Sequence, residues 1–134
     1  MVRPPEPRAI GLGDAVDHYL DNLAEQVAVG QRSARTLDNA SADLRDFAAL
    51  VADGVLVDDI TGADIDDALV GFARLPDRRY TNPPSDGQRS MASRQRFHAS
   101  ISALFAAAVV NGWVTMSPMS QVTRKVRNRD RKKQ

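Results

Sequence analysis

The chain has 134 residues, 43% of them hydrophobic, which is enough for one modest core and does not call for two independent globular domains. Cysteine is absent, which excludes a disulfide scaffold, a thiolate nucleophile and cysteine-ligated zinc, and fits a reducing compartment. The net charge of +1 conceals a split: residues 1–123 carry 11 Lys/Arg against 16 Asp/Glu, giving −5, while residues 124–134 carry 7 against 1, giving +6.

Residues 1–11, with Pro4, Pro5 and Pro7, read as a disordered lead-in without the hydrophobic run of a signal peptide. The longest apolar run, around Ala103 to Val110, is too short to span a bilayer. A soluble, cytoplasmic protein with no membrane partner is the expectation. A first helix is predicted from about Gly13 to Val27, with Leu12, Val16, Tyr19, Leu20, Leu23 and Val27 as its apolar stripe. Asp14, Asp17, Asp21 and Glu25 make its outer side acidic, a face that repels DNA and suits a protein neighbour.

Gly30 breaks the chain, and Ser33 is the expected N-cap of a second helix reaching about Ala52, with Gly54 placed to end it. Leu37, Ala40, Leu44, Phe47, Ala48 and Val51 form its stripe. Arg35, Asn39 and Ala42 face away from that stripe, with Gln31 and Arg32 just upstream and Asp46 closing the surface further along. Thr61 opens a third helix ending near Arg74, with Asp64 at the capping-box position and Ile65, Ala68, Leu69 and Phe72 facing inward. The carboxylates Asp58, Asp59, Asp64, Asp66 and Asp67 suit a helix start and lack the glycine turn and terminal Glu of a calcium loop.

Pro76 to Arg89 form a long connection in which Arg78, Arg79 and Tyr80 are within reach of a ligand. A fourth helix runs from Ser90 to about Asn111-Gly112. Phe97, Ile101, Leu104, Phe105, Ala108 and Val109 form its buried face, and Arg89, Ser93, Arg96 and Ser100 lie on a flanking strip. Ser117-Pro118 suits the cap and first position of a short fifth helix. No segment alternates at period two. The fold class expected is all-α: a compact bundle of four main helices plus a short fifth, spanning residues 12–123, with a basic linker over 124–134.

The chemistry of an isolated enzyme is missing from the sequence. No phosphate-binding glycine loop, dinucleotide fingerprint, zinc-protease helix or serine elbow is present. His18 lies among carboxylates and His98 beside Phe97, and both read as surface histidines. No catalytic residue, metal or cofactor is implied.

The motifs Ser33-x-x-Thr36-x-x-x-Ala40-x-x-Asp43-Leu44-x-x-Phe47, Ile60-Thr61-x-x-Asp64-Ile65 and Arg96-x-x-x-x-Ile101-x-x-Leu104-Phe105 occur in that order, followed by Asn111-Gly112-Trp113 and Ser117-Pro118. Together, over residues 12–123, they resemble the N-terminal, SAM-like core-binding domain of tyrosine recombinases, the phage-integrase family. Ala40 stands where that family often has an aromatic residue, and Ser117 where Asn commonly precedes the proline. The resemblance implies a helical half-clamp on double-stranded DNA at a recombination site. It also implies a parent enzyme that cleaves and rejoins strands through a tyrosine on a separate C-terminal domain, for DNA integration or excision. It further implies other recombinase protomers as partners in a synaptic tetramer, with the fragment alone a monomer.

On that reading the second and fourth helices meet the DNA. Arg35 and Asn39 are candidates for base edges, since Arg and Asn make paired contacts with guanine and adenine. Ser33, Thr36, Ser90 and Ser93 are candidates for phosphates, as is Arg96, with Arg94 either beside them or lying over Phe97. Arg32 and Arg89 flank the two helices, and Arg124, Lys125 and Arg127 begin the basic tail, which is otherwise a solvated linker. The alternative from a different class is a helical protein-interaction module that does not bind DNA. A helix-turn-helix regulator ranks last, because the second and third helices are separated by more than a three- or four-residue turn.

Overall fold

The computed structural model describes residues 9–75 and 89–122. Four helices carry the fold: α1 (Leu12–Ala28), α2 (Ala34–Leu50), α3 (Gly62–Ala73) and α4 (Met91–Val110). The expected fifth helix is a single 3-10 turn over Pro118–Gln121, and a second such turn covers Val57–Asp59. The described residues hold no β-strand, so the all-α expectation holds. The lead-in before residue 9, most of the 76–89 connection with Arg78, Arg79 and Tyr80, and the tail residues Arg124, Lys125 and Arg127 lie outside the described residues.

Local chemistry sets the helix ends. The Ser33 hydroxyl accepts from the Thr36 amide, and the Ser90 hydroxyl from the Ser93 amide, each at 3.1 Å. Thr61 and Asp64 close a reciprocal capping box, at 3.1 Å from the Asp64 amide and 3.0 Å from the Thr61 amide. Each satisfies a donor that the first helical turn leaves without an intrahelical acceptor. α1 ends at Ala28, and the chain turns away at Gly30, whose φ of +83° favours glycine. α2 stops at Leu50, two residues short of the expected Ala52.

α2 and α4 are the central pair; each touches the other three helices, while α1 and α3 flank them. Phe47 of α2, Phe72 of α3 and Phe97 and Phe105 of α4 are all fully buried. Phe72 stacks flat on Phe97 with centroids 3.9 Å apart, and Phe47 meets the edges of Phe97 and Phe105 at 6.4 and 6.3 Å. Burying such rings dominates the energetics of a small core. After α4, Asn111 caps the helix by donating its side-chain amide to the Ala107 carbonyl at 2.8 Å. Trp113 then turns inward, and the His18 ring packs against its edge at 5.2 Å.

Two backbone hydrogen bonds tie the entrance of α1 to the segment after α2. Leu12 N–H donates to the Val55 carbonyl at 3.0 Å and Val57 N–H to the Ile10 carbonyl at 2.9 Å, making an isolated antiparallel bridge between Gly11 and Leu56. Gly62 lies against the C-terminal turn so closely that a Cβ there would stand 2.8 Å from Gln121 backbone atoms.

Three sequence expectations need correction. Val109, placed on the buried face of α4, is 41% exposed: Ala108 continues the stripe fully buried, and the next residue lies about 100° further round the helix, beyond the stripe's edge. Asp46, placed on the outer surface of α2, is buried. It follows Asp43 by three residues, so both carboxylates share the inward side of the helix.

The third correction concerns Arg89, placed on the flanking strip of α4. It precedes that helix and is buried, its guanidinium 4.6 Å from the Phe72 centroid and its Nε donating to the Leu75 carbonyl at 3.2 Å.

Candidate functional site

Among the described residues an open groove of about 680 Å³ lies between α1, the first half of α2 and α4. Its floor is made of small residues, Ala40, Ala99, Ala103, Ala106 and Ala107. An alanine floor lets a ligand backbone approach the helices closely. Its walls carry Tyr19, Asn22 and Gln26 from α1, Arg32 from the preceding turn of α2, Thr36 and Asn39 from α2, and Arg96 and Ser100 from α4.

Helical spacing explains this convergence. Thr36, Asn39 and Ala40 fall three or four residues apart on one side of α2, and Arg96, Ser100 and Ala103 do the same on α4, while Arg32, two residues before α2 begins, is held at the groove by its bond to Gln26. No carboxylate occurs among the described lining residues, although residues 1–123 hold an excess of acid. The acidic residues of α1 point elsewhere: Asp17 pairs at 3.7 Å with Arg45 on the exposed surface.

Arg32 donates from Nε to the Gln26 side-chain oxygen at 3.2 Å, a neutral partner that leaves the guanidinium charge in place. Beside it, burial pushes the Tyr19 hydroxyl above its ordinary pKa, and the Arg32 charge acts in the opposite direction. Arg96 is held differently. Its Nε and Nη2 donate to the two oxygens of Asp43 at 3.1 and 3.2 Å, and Ser100 Oγ donates to the same carboxylate at 3.0 Å. Asp43 is 1% exposed, whereas the Arg96 side chain keeps 41% of its surface.

The sequence candidates therefore separate. Arg32, Thr36, Asn39 and Arg96 meet at the groove. Arg35 is exposed on α2 outside its lining. Ser33 and Ser90 spend their hydroxyls on caps, Ser33 also bonding to the Thr36 hydroxyl at 2.9 Å and Ser90 to the Ser93 hydroxyl at 3.2 Å. Arg94 is half-buried away from the groove, and its Nε has no hydrogen-bond partner among the described residues. Arg89 belongs to the core.

The sequence places Tyr19 on the apolar stripe of α1 and assigns no role to Asn22 or Gln26; the three fall at i, i+3 and i+7 along one uncharged edge of the helix. Asp43 enters the sequence reading only as a motif position, though its spacing from Ala40 and Phe47 places it on the apolar stripe, where a carboxylate demands partners.

Among the described residues no cluster of three or more His, Asp or Glu is placed to hold a metal ion, and no helix is long and apolar enough to cross a membrane. No protein-family model, curated protein or solved structure matches this chain.

Proposed function

We propose that this chain is a DNA-binding module of the core-binding type found in tyrosine recombinases, and that its groove takes the backbone of a DNA duplex. The observation that carries the reading is the carboxylate-free groove, in which two arginines and several amide and hydroxyl groups converge over an alanine floor. Phosphate and sugar contacts use just these donors, and they fix register without reading sequence. The basic stretch over 124–134 adds sequence-independent attraction, because each phosphate neutralised releases counterions. Strand cleavage and rejoining would belong to a separate catalytic domain of the parent enzyme, acting in a synaptic tetramer. A cytoplasmic location accords with the absence of cysteine.

The experiment is a heteronuclear NMR titration of the chain with a mixed-sequence duplex at low and moderate salt. Salt-sensitive shifts at Arg32, Thr36, Asn39 and Ser100 are the expected result. Shifts confined to residues 124–134 would reduce the chain to an electrostatically sticky tail. No shifts at all would favour a protein-interaction module, whose docking surface would start from the exposed Val29, Val110 and Met116.

A further inference from the structure

Asp43 occupies a core position, between Ala40 and Leu44 on the inward side of α2, and is 1% exposed. A lone carboxylate in such a place is strongly disfavoured unless donors surround it. Here three donors do so: Nε and Nη2 of Arg96 and the hydroxyl of Ser100. The paired fork fixes the plane of the guanidinium as well as its position. Arg96 thus lines the groove with Nε and Nη2 committed to Asp43, while its side chain keeps 41% of its surface exposed.

A guanidinium held in this way differs from a free surface arginine in two respects. Its side chain has already lost its rotamer freedom, so binding need not order it. Its charge is offset by a carboxylate in direct contact, so it attracts a distant phosphate far less than Arg32, whose nearest partner is a neutral amide.

We propose that Asp43 is a positioning residue of the groove, holding Arg96 as an oriented, charge-compensated hydrogen-bond donor and not as a counter-charge for phosphate. The proposal rests on the DNA reading of the groove. It assigns different work to the two arginines: Arg32 contributes counterion release, and Arg96 contributes a directed contact whose strength is nearly independent of salt.

The test measures affinity for a labelled mixed-sequence duplex across a salt series for the unaltered chain, Arg32→Gln, Asp43→Asn and the Asp43→Asn/Arg96→Gln pair. The Arg96 Nε–Hε resonance is followed alongside. Arg32→Gln is expected to flatten the slope of log affinity against log salt by about 0.9, the value for one phosphate contact. Asp43→Asn uncovers the Arg96 charge and steepens the slope by about the same amount, while the Nε–Hε resonance broadens or disappears. The double variant returns to the unaltered slope with affinity about tenfold lower, as for loss of one charged hydrogen bond.

An Asp43→Asn chain that keeps both the resonance and the slope, and loses only thermal stability, overturns the proposal and leaves Asp43 a purely structural residue. Should that variant not fold by circular dichroism, Arg96→Lys, which keeps the charge beside Asp43 but cannot make the paired fork, replaces it. Affinity about tenfold lower at an unchanged salt slope then supports the proposal, and unchanged affinity overturns it. Absence of duplex binding by the unaltered chain overturns the DNA reading and the donor role with it, while the resonance still decides whether Asp43 positions Arg96.

Discussion

The Arg89 guanidinium lies 4.6 Å from the centroid of Phe72, and Phe72 itself stacks on Phe97. The cation joins the start of α4 to the end of α3, an arrangement extended by the Arg89 amide donating to the Ala73 carbonyl at 3.1 Å. Arg89→Ala is expected to destabilise the fold by about 1–3 kcal/mol, through loss of the cation–π contact and of a buried hydrogen bond. Urea unfolding measures it, and duplex affinity of the folded fraction is expected to stay unchanged because Arg89 lies in the core.

Gly62 gives a second stability test. An added Cβ would meet the backbone of Gln121 at 2.8 Å, and backbone atoms do not yield as the end of a flexible side chain does. Gly62→Ala is expected to cost about 1–3 kcal/mol despite the better helix propensity of alanine. The sign of the shift in thermal midpoint decides the matter: propensity alone would raise it.

Ala103 tests the groove without touching the core, since it is exposed and lines the floor. Ala103→Glu places a carboxylate among the donors and keeps a good helix former. Stability is expected to change by no more than about 0.5 kcal/mol. Duplex affinity is expected to fall about tenfold or more, read by fluorescence anisotropy at low salt.

Tyr19 supplies a pH dependence. Its pKa is raised on folding, so the native state holds the phenolic proton more tightly than the unfolded chain does. The associated stability is fully present below the ordinary tyrosine value of 10.0 and is lost as pH rises through the folded value. In a Tyr80→Phe background, titration of phenolate absorbance is expected to give a midpoint above that of the urea-unfolded chain. Adding Arg32→Gln is expected to move the midpoint further up, since the neighbouring cation opposes the shift.

Much of the fold was legible because caps and periodicity are local signals. Ser33, Thr61, Ser90 and Ser117 each bind the amides their positions imply, and Ile65, Ala68, Leu69 and Phe72 are buried as their spacing requires. The groove was half legible. Thr36, Asn39 and Arg96 follow from helix geometry, whereas the contribution of α1, and of Arg32 bonded to its Gln26, depends on how that helix lies against α2 and α4, which no local pattern specifies. The same limit applies to Arg96. Its strip was readable, but its attachment to Asp43 joins residues 53 positions apart. Ala40, where the resembled family often has an aromatic residue, is part of the groove floor.

The bridge between Gly11 and Leu56 has a consequence for motion. Helix termini ordinarily fray on their own, but the entrance to α1 is hydrogen-bonded on both sides to a segment that follows α2. Opening it requires the connection between α2 and α3 to release at the same moment. The Leu12 and Val57 amides, bonded across the bridge by buried residues, are therefore expected to exchange their hydrogens with solvent more slowly than the first-turn amides of a helix whose start is held by a side-chain cap alone.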